Sequence, residues 1–224
     1  MRMADFLGGT QRFSVSVRAG YDAVQKSGQK IEFGEMRKVT VSRPDRLRME
    51  GERSDGVKTL TVFNGKEIVL IDETRNVYAT APQPGGLDDT IVYFVKDLGM
   101  QLPLAVLLVS QLPAELKARV RSVDYVERTN IHGSPSHHLA ARTDMVDFQI
   151  WVADGDRPLP QRVVITYKQA KGEPAVLGGV FRLESRARAG RFDVCGEAAG
   201  RGAEGGVRGA ASARIAGRSQ AICG

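Results

Sequence analysis

Strict alternation of residue character between Arg12 and Val24 is the feature that most constrains the fold of this chain. The odd-numbered residues from Phe13 to Ala23 are apolar or aromatic, whereas the even-numbered residues from Arg12 to Asp22 are polar or glycine. Successive side chains of a β-strand point to opposite faces of the sheet. A period of two therefore predicts a long strand with one buried face and one face in water.

Similar segments extend this strand into an antiparallel sheet. Ile31 to Ser42 follows the turn Ser27-Gly28, and its alternation slips near Gly34, which predicts a bulge. Asn64-Gly65 is a strong hairpin signal between the predicted strands 59–63 and 67–71. The remaining predicted strands are 47–50, 77–80, 122–129, 137–142, 148–152 and 162–168. Roughly ten strands without βαβ alternation predict an α+β fold with an antiparallel sheet.

A helical insertion interrupts the strands over residues 87–119. Apolar residues recur at intervals of three and four from Leu87 to Leu98, with acidic residues in the first turn and Gly99 after the last. The stretch 102–112 is apolar nearly all round, so we expect a second helix that is either buried in the core or a cover for an apolar space. A short third helix is predicted over 113–119.

The composition changes at Pro174. Residues 175–224 contain eight Arg against four acidic residues, which accounts for +4 of the net charge of +6. The basic charge therefore belongs mostly to this Ala/Gly/Arg-rich tail, and the body, residues 4–174, is close to neutral. We expect the tail to be disordered. We interpret it as an out-of-frame reading of a GC-rich gene, in which case the domain lacks its closing strand. The alternative is a genuine basic linker or RNA-binding tail, although its Arg residues are not interleaved with aromatic residues.

No arrangement of residues points to catalysis or to a cofactor. His132, His137 and His138 are close in sequence, but neighbours on a strand face opposite ways, so a shared metal ion is not expected. Asp154 and Asp156 lack the spacing of a calcium loop, and we expect their side chains to bond the backbone of a local turn. The body has no cysteine, no nucleophile motif and no phosphate loop. We therefore predict a protein that is not an enzyme and has no metal or cofactor.

Several segments together resemble one family. Residues 149–160 read GlnIleTrpValAlaAspGlyAspArgProLeuPro, and residues 43–48 read ArgProAspArgLeuArg. The other segments that carry the resemblance are 21–33, 63–66, 76–80, 102–108 and 137–140. The chain resembles the DUF2092 family of predicted periplasmic proteins, which is similar to the LolA/LppX superfamily of lipoprotein-carrier-like proteins. That resemblance implies a strongly curved, open antiparallel sheet, a half-barrel, capped by an inserted helical pair.

The resemblance also implies a function and a compartment. We expect a periplasmic protein that holds a lipid, acyl chain or lipoprotein in an apolar cavity between sheet and helices. The expected cavity residues are Val15, Val17, Tyr21, Phe33, Leu60, Val62, Phe94, Leu104, Leu107, Leu108, Ile150 and Trp151. The alternative is an envelope protein-interaction or sensor module with a filled core and no small ligand.

The ends of the chain and its partners complete these expectations. Members of the family usually begin with a signal peptide and a helix before the segment that begins here at Ala4, so the resemblance implies that this chain starts late. Its first residues lack the apolar region of a secretory signal. We expect no nucleic-acid partner, and no apolar run is long enough to span a membrane.

Overall fold

A single antiparallel sheet organises the protein. The computed structural model describes residues 1–97, 104–131, 133–169 and 175–184. Within them the sheet has eleven strands in the order β6-β5-β4-β3-β2-β1-β11-β10-β9-β8-β7. The strands are β1 (Arg12–Val24), β2 (Lys30–Ser42), β3 (Arg46–Arg53), β4 (Lys58–Phe63), β5 (Glu67–Asp72), β6 (Val77–Pro82), β7 (Ser122–Ile131), β8 (Ser134–Arg142), β9 (Val146–Ala153), β10 (Pro160–Tyr167) and β11 (Ala175–Glu184). The sheet is open and strongly curved, which confirms the predicted fold class.

The helices lie in two places along the chain. Helix α1 (Arg2–Gly9) precedes the sheet, and α2 (Leu87–Lys96), a 3₁₀ helix (Ala105–Leu108) and α3 (Leu112–Arg119) lie between β6 and β7. Because β6 and β7 are the two edges of the sheet, the connection that carries α2 and α3 runs from one edge to the other. No helix in the described ranges is long and apolar enough to cross a membrane.

One face of the sheet, here called the inner face, forms the core with these helices. Direct cross-strand partners place five side chains in one row from β1 to β5: Phe13, Val41, Leu47, Phe63 and Ile68. All five are at most 2% exposed. Leu7 of α1, Phe94 of α2 and Leu112 of α3 belong to the same cluster. Burial of such large side chains against helices is the main source of stability of this end of the sheet.

Two sequence predictions about β2 and the apolar stretch are wrong. The register of β1 with β2 runs without a shift from Arg12↔Ser42 to Val24↔Lys30, so there is no bulge at Gly34. The alternation slips because Glu35 and Arg37 face inward, on the side of Val39. The described part of 102–112 is a turn and one short 3₁₀ helix rather than a continuous α-helix.

The predicted end of the domain and the missing closing strand are also revised. Ala175–Glu184 forms β11, which pairs with β1 on one side and β10 on the other. β11 therefore joins strands β1–β6 to strands β7–β10 in one sheet, and the folded domain extends past residue 174. The remainder of the tail, 185–224, lies outside the described residues.

Candidate functional site: the inner face of the sheet

The inner face changes character along β1 and β2. Near Phe13 and Val41 it is covered by helices, whereas toward the β1–β2 turn Ile31 and Phe33 are 39% and 38% exposed. Tyr21 stacks on Phe33 with ring centroids 5.9 Å apart. We call these two regions the covered end and the open end of the inner face.

At the open end an apolar row crosses seven strands. Direct partners run in the order Phe33, Tyr21, Val176, Ile165, Phe148, Ala141 and Val123, from β2 to β7. The terminal members of this row, Phe33 and Val123, are exposed, whereas Ile165 at its middle and Ala141 beside Val123 are buried. With adjacent strands about 4.8 Å apart, the row is roughly 29 Å long. We call it the open apolar row.

The shifted pKa of Tyr167 shows that its surroundings at the open end are apolar. It lies opposite Val146 at the end of β10, two residues beyond Ile165, and packs against the core cluster. Burial raises the pKa of the Tyr167 hydroxyl, because an apolar environment disfavours the phenolate.

The helical insertion reaches the middle of the sheet at Gly178. A Cβ atom on Gly178 would lie 3.0 Å from Cδ1 of Leu104. Because Gly178 has no side chain, Leu104 packs directly against the backbone of β11. Because Gly178 and Val176 lie two residues apart on the same face, Leu104 borders the open apolar row.

Arg43 links the helical insertion to the covered end through hydrogen bonds and an ion pair. Its side chain is only 6% exposed, and it donates hydrogen bonds to the carbonyl oxygens of Thr10 (3.1 Å) and Leu108 (2.8 Å). Asp88 in the first turn of α2 lies 3.6 Å from Nη1 of Arg43 and accepts hydrogen bonds from the backbone and side chain of Ser110. Burial lowers the pKa of Arg43, and the Asp88 carboxylate opposes that shift. One buried guanidinium thus joins the C-terminal end of α1, the first turn of α2 and the 3₁₀ region.

A charged pair interrupts the inner face between its two ends. Nε of Arg37 donates a hydrogen bond of 2.5 Å to Oε1 of Glu35, and the two side chains are 26% and 15% exposed. Their cross-strand partners on β1, Val17 and Ala19, belong to the same face. Sequence reasoning missed both residues as site candidates. The only signal was the interrupted alternation of β2, which was interpreted as a bulge.

The structure brings most of the predicted cavity residues to the inner face or its helical cover. Val15, Phe94 and Ile150 are buried in the core cluster, whereas Val17, Leu104, Leu107 and Leu108 pack at its margin. Tyr21 and Phe33 lie on the inner face at the open end.

For three residues the predicted position is wrong. Leu60 pairs with Glu50 and Val62 with Arg48, on the face opposite Phe63. Trp151 pairs with His138 and Arg162, on the face opposite Ile150. These three side chains are buried on the outer face of the sheet and cannot line a space between sheet and helices.

The histidines take separate structural roles. His138 stacks on Trp151 with centroids 4.0 Å apart, whereas His137 lies across from Val152, so the predicted opposite orientation is confirmed. His132 lies outside the described residues. In the ranges that the structure describes, no three His, Cys, Asp or Glu residues come together as a metal site.

The expected turn role of Asp154 is wrong. Its carboxylate lies 3.4 Å from Nε2 of His137 and 2.7 Å from Nη2 of Arg128, side chains of two other strands. Hydrogen bonds from His137 and then Arg128 lower the pKa of Asp154. The carboxylate therefore joins neighbouring strands.

Comparison with solved structures identifies the fold. LprF from Mycobacterium bovis matches with a TM-score of 0.50 and 13% identity, over 81% of this chain and 88% of that chain. The lipoprotein LppX of Mycobacterium tuberculosis matches with a TM-score of 0.49 and 10% identity, over 86% and 94%. A chain of the Pseudomonas aeruginosa MucA/MucB complex matches with a TM-score of 0.45 and 14% identity, over 86% and 58%. The present chain thus spans little more than half of that last structure. At 13% identity the likeness to LprF shows the fold alone.

Sequence comparison identifies the family. Among curated proteins none matches this chain. One family profile, described as a predicted periplasmic protein, matches residues 1–177, which is most of the chain and includes all strands from β1 to β10. The resemblance expected from the segments between residues 21 and 160 is confirmed, and the chain belongs to the DUF2092 family of predicted periplasmic proteins.

Proposed function

We propose that this protein is a non-catalytic periplasmic binding or carrier protein that holds a lipid, an acyl chain or the acyl part of a lipoprotein on its inner face. The observation that carries the proposal is the open apolar row, which extends the core beyond the helical cover and ends in exposed side chains, Phe33 and Val123. The family description supports the periplasmic compartment.

The physical basis is burial of apolar surface. An acyl chain laid along the row would remove Phe33, Tyr21 and Phe148 from water, at about 25 cal/mol for each Å² of apolar surface buried. A curved sheet leaves such a space where it is too wide for its side chains to fill the enclosed volume. Leu104 borders the row, so the 3₁₀ region would contact the bound chain and cover it.

The proposed role needs no reactive group. The carboxylates of Asp88, Asp144 and Asp154 are engaged by Ser110, Arg121, and His137 with Arg128, respectively. Each of these carboxylates thus has a structural partner. This favours a binding role over a catalytic one.

A charge placed in the row tests the proposal. We expect Phe33→Asp to abolish uptake of an apolar fluorescent dye, because a carboxylate would then border the acyl chain. Met36→Asp is the matched control, since Met36 lies on the outer face of the same strand and is 49% exposed. The measurements are dye fluorescence and mass spectrometry of lipids extracted from the purified protein. Equal dye uptake by both variants would contradict the proposal.

A second candidate function is an envelope protein-interaction module, favoured by the edge strand β7. Val123, Tyr125 and Val126 are each more than half exposed on this ten-residue strand. Exposed edge strands can accept an added strand from a partner. Purified protein that carries no lipid and takes up no dye would favour this function over the carrier.

A further inference from the structure

We propose that Glu35 and Arg37 form a headgroup site for a lipid whose polar end is zwitterionic, with an anionic group bound by Arg37 and a cationic group bound by Glu35. The inference rests on the proposed function, because it places the polar end of the same bound molecule.

The position of the pair is the first argument. Along β2 the inner-face residues run Phe33, Glu35, Arg37 and Val39, so the pair lies between the open apolar row and the covered core. Phe33 is the β2 end of the row, and Glu35 is the next inner-face residue. The polar end of a chain lying in the row would therefore reach the pair without leaving the inner face.

The strands beyond β2 are polar at the level of the pair. Beyond β2 the inner-face residues at the level of the pair are Gly51 and Arg53 on β3, Thr59 on β4 and Asp72 on β5. The inner face is thus apolar from β2 to β7 at the open end and polar from β2 to β5 beside it. A molecule that is apolar along most of its length and polar at one end matches this division.

The unused hydrogen-bonding capacity of the pair is the second argument. Arg37 has five N–H donors, and within the described residues only its Nε–H donates a hydrogen bond to protein. Glu35 accepts that bond through Oε1, and its Oε2 accepts none from the described protein. Both side chains are more than 70% buried, where open donors and acceptors favour a polar ligand over an apolar one.

The balance of charge decides the class of headgroup. Glu35 offsets Arg37, and the neighbouring Arg53 and Asp72 are paired with Asp55 (2.7 Å) and Arg75 (3.4 Å). The site therefore has no net charge that would favour a simple anion. It presents a positive and a negative group side by side, which complements a phosphate and an ammonium on one headgroup.

Three lauroyl lipids with different heads test the inference: lysophosphatidylethanolamine, which is zwitterionic, lysophosphatidylglycerol, which is anionic, and monolauroylglycerol, which is uncharged. Each is titrated into the full chain loaded with an apolar fluorescent dye, and displacement of the dye gives the affinity. We expect the zwitterionic lipid to bind about tenfold more tightly than the uncharged one, a difference of about 1.4 kcal/mol.

Substitutions assign that preference to the pair. We expect Arg37→Gln to abolish the tenfold preference for the zwitterionic lipid over monolauroylglycerol. The double variant Glu35→Gln, Arg37→Gln leaves no unpaired charge, so it guards against a folding defect in the single variant. Arg18→Gln on the outer face of β1 is the control and should retain the preference.

The outcomes separate the headgroup site from the carrier function. Equal affinities for the three lipids, tightest binding of the anionic lipid, or a preference that survives the double variant would each overturn the headgroup site while leaving the carrier function intact. Failure of every lipid to displace the dye would overturn both.

Discussion

The covered and open ends of the inner face meet on strands β1 and β2 but differ in how far their side chains are buried. At the covered end Phe13, Val41 and Phe63 are at most 1% exposed beneath the helices, whereas at the open end Ile31 and Phe33 are nearly 40% exposed on the same face. The core therefore leaves apolar side chains such as Ile31 and Phe33 accessible where β1 and β2 approach their turn.

This difference separates stability from binding. Side chains that are already buried contribute to folding, and only those that remain accessible can gain further burial from a ligand. The charged pair Glu35–Arg37 lies at the border between the two ends. We therefore expect substitutions at the covered end to affect mainly unfolding, and substitutions at the open end to affect mainly ligand affinity.

The largest effect is expected for aromatic truncation at the covered end. Phe63→Ala should lower the free energy of unfolding by about 3–5 kcal/mol, because Phe63 is fully buried and its removal leaves a cavity. Phe33→Ala should lower it by only about 1 kcal/mol while weakening dye uptake. Urea denaturation and dye titration of both variants measure the contrast. Similar losses of stability at the two positions would show that the open end is part of the core.

The next largest effect is expected at Arg43. Arg43→Met keeps the apolar stem but leaves the carbonyl oxygens of Thr10 and Leu108 without their donor, which should cost about 2–3 kcal/mol. Hydrogen exchange should rise first in α2 and in 105–108, because Arg43 joins these segments to the sheet.

Arg46→Met is the control for Arg43. Arg46 is the first residue of β3, three residues after Arg43. Its side chain is 40% exposed and pairs with Asp45 at 3.5 Å, so its loss should change stability by less than about 1 kcal/mol. Faster exchange spread evenly over the strands of the Arg43 variant would mean that Arg43 stabilises the whole domain rather than the helical cover.

Sequence periodicity predicted the sheet well where only one face is buried. The alternation from Phe13 to Ala23 identified β1, and Asn64-Gly65 identified the β4–β5 hairpin. The same reasoning failed on β4, where both faces are buried. Thr61 is 2% exposed on the inner face and Val62 is 1% exposed on the outer face, so residue character does not distinguish the faces.

The candidate site was harder to predict for two reasons. It depends on the pairing register of the strands, and it includes charged residues at positions where the alternation calls for apolar ones. Ile150 and Trp151 are adjacent, and only pairing with β8 and β10 shows which of them faces inward. Glu35 and Arg37 face inward against the apolar pattern, so a local interpretation suggested a bulge. β11 was not predicted because the Ala/Gly/Arg-rich composition after residue 174 indicated disorder, although the segment contains apolar residues such as Val176 and Leu183.

The smallest effect is expected for exposed ion pairs at the two ends. At the open end Arg121 donates hydrogen bonds to Asp144 and lowers the pKa of that carboxyl, and at the covered end His137 and Arg128 lower the pKa of Asp154. A pKa that is lower in the folded state gives stability that is present above the unfolded value, about 3.9, and is lost as the pH falls through the folded value.

Asp144→Asn and Asp154→Asn should therefore each reduce stability slightly at pH 7, by less than the Arg43 substitution does. Each should also reduce the loss of stability between neutral and acidic pH, because the substituted position no longer takes up a proton on unfolding. Thermal unfolding at a series of pH values measures both effects. If the two ends differ only in their helical cover, the two variants should behave alike, since both carboxylates lie at the surface. A much larger effect of Asp154→Asn would instead show that this pair helps to hold the strands beneath the covered end, and that the contrast between the ends extends beyond the buried side chains.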